Sequence, residues 1–285
     1  MQRAHHVIKW SLMERCDPRL AASVRADYSC RGVFHSPHGN VNYRADGTVK
    51  SGHNDTTSGN TLINLAIAAS AMRDCGYTGS VIAVGDDLLA AMTTAFDSKR
   101  LARAESEYGI LPTVIERTSL SQATYASGTW LVDAGRHFYV PLLGRLLARQ
   151  WWSTHPPPPK RLRAHMHGIA SGMLSLVAGL PIYDEFYRPH LIDAPIVDYA
   201  GYRPHGRHDF SAVDVYAALR SRYGLSDRHI DEARVWVASL PTSPRFYEHL
   251  PRSIQTIMAV DVPDALIGRA ALEQLRHDGV IDSAA

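Results

Sequence analysis

Apolar and polar positions in the first half of the chain predict a helix followed by a hairpin. Apolar residues recur at helical spacing after residue 56, which predicts a helix that begins near Asp55 or Thr56 and ends at Cys75. Gly76 stands where such a helix needs a left-handed cap. The predicted buried face of this helix comprises Leu62, Leu65, Ala66 and Ala69.

The predicted hairpin follows this helix directly. Residues 80–84 are a short apolar run with three β-branched residues, which is typical of a buried strand. Gly85-Asp86 supplies turn-forming residues, and residues 88–92 can return as the second strand. Another hairpin is predicted upstream, where residues 41–43 and 48–50 flank an Asp-Gly turn and residues 31–40 form the loop before it.

The second half of the chain is predicted to be mainly helical. It opens with a hairpin, in which β-prone runs at 123–132 and 137–140 flank a Gly-containing turn. Helices are then predicted at residues 142–152, 166–180, 212–223, 227–240 and 263–278.

Composition limits the class of protein without selecting a function. With 285 residues, 45% of them hydrophobic, the chain can bury a substantial core as one large or two modest domains. Its net charge of +2 favours a polyanionic partner only mildly. Cys16, Cys30 and Cys75 are too scattered for a disulfide framework or a zinc cluster. We expect no transmembrane segment, since the most membrane-like run, at residues 168–180, is too short to span a bilayer.

The candidate chemistry lies in the Gly85-Asp86-Asp87 turn and in the helix before it. Two adjacent carboxylates repel each other, so a hairpin tip tolerates them when it is solvated or when it holds a divalent cation. Thr56, Asn60 and Asn64 recur every four residues and form one polar stripe on the helix. An acidic turn alone is weak evidence of a metal site, whereas the turn and the stripe together indicate a shared substrate cavity.

The order of these motifs resembles the RNA-dependent RNA polymerases of positive-strand RNA viruses. The run from Lys50 to Thr61 is similar to motif B and Gly85-Asp86-Asp87 to motif C, with noda-like and tombus-like polymerases most similar in the first. Residues 109–117 and the hairpin of residues 123–140 are similar to motifs D and E. The resemblance implies an α+β fold. It places a palm, an antiparallel sheet flanked by helices with residual fingers elements, at residues 1–140 and a mainly helical thumb at residues 141–285.

The resemblance also implies a reaction and the residues that perform it. The chain would transfer nucleotides to RNA under the direction of an RNA template, with a two-metal mechanism that uses Mg²⁺ or Mn²⁺. Asp86 and Asp87 would be the catalytic and metal-binding residues. The residues expected to contact the substrate NTP are Ser51, Gly52, Thr56, Asn60 and Arg117, and those expected to contact RNA are Lys50, Tyr125 and Ser127. Arg117 stands where a Lys is usual, and it would neutralise charge rather than donate a proton.

One part of the family pattern has no counterpart in the sequence. Motif A supplies two acids on a strand upstream of motif B, but ahead of residue 31 only Glu14, Asp17 and Asp27 are acidic, and none lies in an apolar strand pattern. We therefore expect an incomplete polymerase chain that needs an upstream fingers and motif A segment or a companion chain. The alternative is a non-catalytic RNA-binding or assembly subunit, in which the two acids form a solvated turn. The host cytoplasm, at a viral replication complex, is the expected location.

Overall fold

The computed structural model describes residues 2–19, 22, 28–47, 56–149, 157–192, 210, 212–240 and 250–262. The chain divides into two compact units, Met1–Glu116 and Arg117–Ala285. Helices occur together with small antiparallel sheets, as an α+β fold predicts. Among the described helices, none combines the length and the apolar character that crossing a membrane requires.

The first unit contains two hairpins with a helix between them in the chain. Its elements are α1 (Gln2–Cys16), β1 (Ser29–Ser36), β2 (Gly39–Asp46), α2 (Thr56–Asp74), β3 (Gly79–Val84), β4 (Asp87–Met92) and α3 (Ser98–Glu107). Strand β1 pairs only with β2, and β3 only with β4, among the described residues. The predicted hairpin after the helix is therefore confirmed.

The predicted loop at residues 31–40 is wrong. Those residues belong to β1, to a two-residue turn of Pro37 and His38, and to the start of β2, with Ser36 facing Gly39. Residues 41–43 consequently pair with residues 32–34, while residues 48–50 lie outside the described residues. Gly32 and His35 interrupt the β-prone run and hide the strand, because strand formation depends more on cross-strand pairing than on the intrinsic preference of each residue.

Helix α2 ends at Asp74, one residue before the predicted end at Cys75, and Gly76 follows as the predicted cap. The Gly76 N–H donates to the Arg73 carbonyl at 2.9 Å, and the Tyr77 N–H donates to the Met72 carbonyl at 2.8 Å. These two bonds form a Schellman motif, which requires the left-handed conformation that Gly76 adopts with φ of 69°. The glycine thus directs the chain from the helix into β3.

The predicted buried face of α2 is wrong. Leu62 is 57% exposed, whereas Ala68, Ala71, Met72 and Cys75 are buried. Ala71 and Met72 of this stripe pack with Leu101 of α3, and Val81 and Met92 of the β3–β4 hairpin lie against the same cluster. An alanine-rich helix offers two apolar stripes of similar strength, and the small side chains of Ala68 and Ala71 allow the hairpin and α3 to approach more closely than leucines would.

Among the described residues, the second unit has one hairpin and most of the helices. Its elements are β5 (Gly128–Asp133), β6 (Arg136–Pro141), α4 (Leu143–Arg149), α5 (Pro159–Val177), α6 (Tyr183–Tyr187), α7 (Ala212–Tyr223), α8 (Asp227–Ala238) and α9 (Arg252–Asp261). Four of the predicted helices correspond to α4, α5, α7 and α8. The sequence analysis missed α9, and the helix predicted at 263–278 lies outside the described residues.

An extensive apolar core holds the second unit together. Strands β5 and β6 contribute Leu131 and Val140, which are buried against side chains from the helices. The largest fully buried side chains are Leu131, Leu143, Leu180, Ile182, Tyr183, Tyr187, Leu219, Ile230, Ile254, Ile257 and Met258. The hairpin is therefore fixed to a helical framework rather than free at the surface.

Candidate active site

Asp86 and Asp87 lie at the tip of the β3–β4 hairpin, as predicted. Val84 pairs with Asp87, so Gly85 and Asp86 are the two turn residues. Gly85 has φ of 63°, the conformation that a type II′ hairpin turn requires of its first central residue and that side chains disfavour. Both aspartates are exposed. The turn thus presents two adjacent carboxylates outside the core.

Side chains of α2 bind the backbone of this turn. The Gly85 N–H donates to Thr61 Oγ1 at 2.8 Å, and Thr61 Oγ1 donates to the Thr57 carbonyl at 2.6 Å. Asn64 Nδ2 donates to the Asp86 carbonyl at 3.0 Å and to the Gly85 carbonyl at 3.5 Å. The polar stripe of the helix and the acidic turn therefore meet through Asn64, the third member of the stripe.

The other two members of the stripe lie on the same helix, nearer its beginning. Asn60 is four residues before Asn64 and Thr56 is eight before it, which corresponds to about 6 Å and about 12 Å along a helix axis. Both side chains are partly buried. Thr56 and Asn60 therefore lie about two turns and about one turn of helix before the residue that contacts the acidic turn.

A strained turn directly precedes β5 in the second unit. Tyr125 and Gly128 exchange backbone hydrogen bonds of 2.9 and 2.8 Å around Ala126 and Ser127, whose φ values are 45° and 65°. Left-handed backbone costs about 1 kcal/mol or more for a residue with a side chain. The Tyr139 hydroxyl donates to the Tyr125 carbonyl at 2.6 Å and to the Ala126 carbonyl at 3.0 Å, which stabilises the turn.

Aromatic rings cover this turn and the β5–β6 hairpin that follows it. The rings of Tyr125 and Trp130 stack with centroids 6.1 Å apart, and Trp130 meets Tyr139 edge to face at 5.3 Å. The Tyr139 ring lies so close to Gly128 that a Cβ there would come within 2.3 Å of it. Gly128 is therefore required by this packing, and Tyr125 is held from both its backbone and its ring.

A buried ion pair anchors this hairpin to the helices. Arg222 donates to Asp261 at 2.8 Å, with the two side chains 2% and 0% exposed. A second Arg222 nitrogen donates to Thr129 Oγ1 in β5 at 2.9 Å. Asp261 also accepts from the Tyr223 hydroxyl and from the Gly144 N–H, each at 2.8 Å. Burial raises the pKa of the Tyr223 phenol, so that group remains a donor at neutral pH.

The chemistry of Asp86 and Asp87 can be compared with what a divalent cation requires. Carboxylate oxygens are the ligands that Mg²⁺ prefers, and it commonly binds through one or two carboxylates, with water and substrate phosphates completing its shell. Asp86 and Asp87 fit that requirement for one ion. In the part of the chain that the structure describes, no cluster of three or more His, Cys, Asp or Glu side chains is suited to a metal. These residues alone do not fit a two-ion site.

Comparison with known families identifies the chain. The family model described as viral RNA dependent RNA polymerase matches residues 5–195, which is more than half of the chain. This chain belongs to the viral RNA-dependent RNA polymerase family. Among curated proteins, none matches it. Membership supports RNA-dependent RNA polymerase function in general, and the family generally uses divalent metals.

The matched region includes every predicted site residue of this polymerase family member. The structure brings Asp86, Asn60 and Thr56 into one compact unit, on a turn and a helix in direct contact. Tyr125 and Ser127 lie together on the β5–β6 hairpin of the second unit, and Arg117 is exposed near its beginning. The predictions for Lys50, Ser51 and Gly52 lie outside the described residues.

Sequence reasoning missed two residues that the structure places at the turn, Thr61 and Asn64. Asn64 had been recognised as part of the polar stripe but not as a contact of the acidic turn. Its spacing of four residues from Asn60 was the available signal. Thr61 gave no such signal, because a threonine that accepts a hydrogen bond from 24 residues away looks in sequence like any other helical threonine.

We expect Ser127→Gly to stabilise the protein by about 0.5–1 kcal/mol, because glycine removes the left-handed strain at the turn. Chemical denaturation followed by circular dichroism measures this change. Ser119→Gly is the matched control: Ser119 is exposed and has φ of −140°, so glycine there should lower stability slightly. A loss of stability from Ser127→Gly equal to that of the control would contradict the strained turn.

Proposed function

We propose that this chain carries the nucleotidyl-transfer residues of an RNA-dependent RNA polymerase that replicates a viral genome. The observation that supports this most is the contact between the acidic turn and α2, since it joins the two motifs whose order resembles the family. In the proposed reaction the 3′-hydroxyl of the nascent RNA attacks the α-phosphate of an incoming NTP and pyrophosphate leaves.

The described residues have separate roles in this proposal. Asp86 holds a divalent cation and Asp87 assists it, and such ions supply neutralisation of the triphosphate and activation of the attacking hydroxyl. Thr56 and Asn60 contact the ribose and test for its 2′-hydroxyl, and Arg117 neutralises phosphate charge. Ser51 and Gly52 contact the incoming NTP, while Lys50, Tyr125 and Ser127 hold RNA.

A complete two-metal site needs at least one further carboxylate. Two adjacent aspartates cannot place ligands on opposite sides of a pair of ions about 4 Å apart. We propose that an Asp-containing strand of the motif A type, from a fingers and palm segment or from a companion chain, supplies it. In this assignment residues 1–140 are palm and 141–285 thumb, the subtype is noda-like or tombus-like, and the protein works in the host cytoplasm at a replication complex.

Template-directed incorporation of labelled NTPs tests this function. The chain is assayed on a primed RNA template with Mg²⁺, alone and together with a separately expressed fingers and motif A segment of a related polymerase. We expect synthesis only in the combined reaction. Robust Mg²⁺-dependent synthesis by the isolated chain would refute the need for a further carboxylate, and no synthesis in either reaction would favour a non-catalytic role.

The charge distribution favours RNA binding whether or not the chain is catalytic. Between Asp133 and Asp184 the sequence contains no Asp or Glu. The same span has six exposed basic side chains, those of Arg136, Arg145, Arg149, Lys160, Arg161 and Arg163. These side chains suit a phosphate backbone, and their number without nearby acids in the sequence is the observation that supports the alternative of an RNA-binding subunit.

We expect the triple variant Lys160→Gln, Arg161→Gln, Arg163→Gln to bind single-stranded RNA more weakly. Log affinity falls with log salt concentration, and each lost phosphate contact makes that slope less negative by about 0.7. The slope of the triple variant should therefore be less negative by about 2. Fluorescence anisotropy at several salt concentrations measures it. A triple Gln variant at the exposed residues Lys99, Arg103 and Arg228 removes the same charge elsewhere. If both triple variants lose the same RNA affinity and the same salt dependence, only the net charge of the protein affects RNA binding.

A further inference from the structure

The backbone of the acidic turn depends on α2 for its hydrogen bonds. In a two-residue hairpin turn the flanking residues, here Val84 and Asp87, make the ladder bonds, so the polar groups of the turn residues need other partners. Three of those groups, the Gly85 N–H and the carbonyls of Gly85 and Asp86, bind the side chains of Thr61 and Asn64. Water would otherwise have to serve these groups.

The two side chains are themselves held in one orientation. Thr61 Oγ1 gives its hydrogen to the Thr57 carbonyl, which leaves an acceptor lone pair facing the Gly85 N–H. Asn64 uses its amide nitrogen for both carbonyls of the turn. Thr61, Asn64, Ala68 and Ala71 lie on one face of α2, and the last two are buried. The contact with the turn therefore continues the packed face of the helix.

We propose that Thr61 and Asn64 are positioning residues that fix the carboxylate of Asp86 relative to the ribose-contacting residues on the same helix. We call this pair the turn clamp. The inference rests on the proposed function and extends it, because the clamp makes α2 and the metal-binding turn move as one body. When a dNTP binds in place of an NTP and shifts Asn60, the rigid helix then transmits that shift over a few residues to Asp86.

The clamp binds the backbone of Gly85 and Asp86 and not a carboxylate, so its loss should change some kinetic constants and leave others nearly unchanged. Loss of the clamp should lower kcat and raise the Mg²⁺ concentration needed for synthesis, while the KM for NTP changes little. Discrimination between NTP and dNTP should fall. Outer partners of metal ligands typically change metal affinity by about tenfold or more, which is the effect expected here.

The experiment uses the full chain and two readouts that do not need polymerisation. Hydrogen exchange at the Gly85 amide reports the clamp directly, and electron paramagnetic resonance measures Mn²⁺ binding. We expect Thr61→Val to accelerate that exchange about tenfold, the equivalent of one lost hydrogen bond, and to weaken Mn²⁺ binding about tenfold. Thr61→Ser retains the hydroxyl and should restore both values to near wild type.

A matched control lies at the other end of the same hairpin. Thr93 Oγ1 donates to the Thr78 carbonyl at 2.9 Å, so Thr93→Val also removes one hydroxyl bond but leaves the turn untouched. We expect it to change neither Gly85 exchange nor Mn²⁺ affinity. If circular dichroism shows that the Thr61→Val variant does not fold, Asn64→Leu tests the same claim, because it removes the hydrogen bonds to the Gly85 and Asp86 carbonyls.

The outcomes separate the clamp from the proposed function. Unchanged Gly85 exchange and unchanged Mn²⁺ affinity in a folded Thr61→Val or Asn64→Leu protein would overturn the clamp, whatever the polymerase activity. Faster exchange with unchanged Mn²⁺ affinity would overturn it too. Faster Gly85 exchange together with weaker Mn²⁺ binding, both restored by Thr61→Ser, would support the clamp even where wild-type synthesis is absent. That absence would count against the polymerase proposal instead.

Discussion

Asp86→Asn is expected to abolish RNA synthesis while the protein stays folded and binds RNA at least as tightly as the wild type. Asparagine has nearly the same volume as aspartate but no charge, and loss of a charged metal ligand removes several kcal/mol of transition-state stabilisation, which corresponds to about 10³-fold in rate. Folding should not change, because the side chain is exposed and the turn is held through its backbone.

Nucleotide incorporation should be measured in whichever preparation supports wild-type synthesis, the chain alone or with the added fingers and motif A segment. RNA affinity measured by anisotropy should be unchanged or increased, since one negative charge near a polyanion is removed. Glu107→Gln, which neutralises another exposed carboxylate in the same unit, is the control and should leave synthesis intact. If the Asp86→Asn variant synthesises RNA at the wild-type rate, the acidic turn is excluded from catalysis, and the alternative of an RNA-binding subunit is favoured.

Asp261→Ala is expected to have the largest effect on stability, with a loss of about 3–5 kcal/mol. The substitution leaves the buried charge of Arg222 without its partner, and it removes the acceptor of the Tyr223 hydroxyl and the Gly144 N–H. Each of these groups is costly to bury unpaired. Because Arg222 also binds Thr129, the β5–β6 hairpin with Tyr125 and Ser127 should lose its support.

Urea denaturation followed by circular dichroism gives the free energy of unfolding for this test. Arg222→Ala should lose a similar amount, whereas Arg220→Ala, two residues away on α7, should lose about 1 kcal/mol or less. Arg220 pairs with Asp227 at the surface, where solvent screens the charges. Similar losses from Arg220→Ala and Arg222→Ala would show that the buried network contributes no more than a surface ion pair.

Local sequence signals predicted the elements that carry the candidate chemistry. The glycine at position 76 marked the end of α2, and Gly85-Asp86 marked the turn between β3 and β4. These predictions succeeded because a left-handed glycine or a two-residue turn is determined by the residues within it. The resemblance to viral polymerases rests on the same short motifs, and the family match confirms it.

Predictions that depended on distant partners were less successful. The buried face of α2 was assigned to the wrong stripe, since the choice belongs to the β3–β4 hairpin and α3 that pack on it. The prediction of a loop at residues 31–40 is wrong, because the signal of β1 is its pairing with β2. The ion pair between Arg222 and Asp261 joins two helices, and nothing within either helix indicates it.

The sequence by itself determined that this chain has two carboxylates at a hairpin tip, preceded by a helix with a polar stripe, in the order of the polymerase family. Only the tertiary structure decided which face of that helix meets the turn, and it selected Thr61 and Asn64 as the contacts. The physical reason is range: turns and caps depend on neighbouring residues, whereas burial and hydrogen bonding between elements depend on residues that the chain brings together only when it folds.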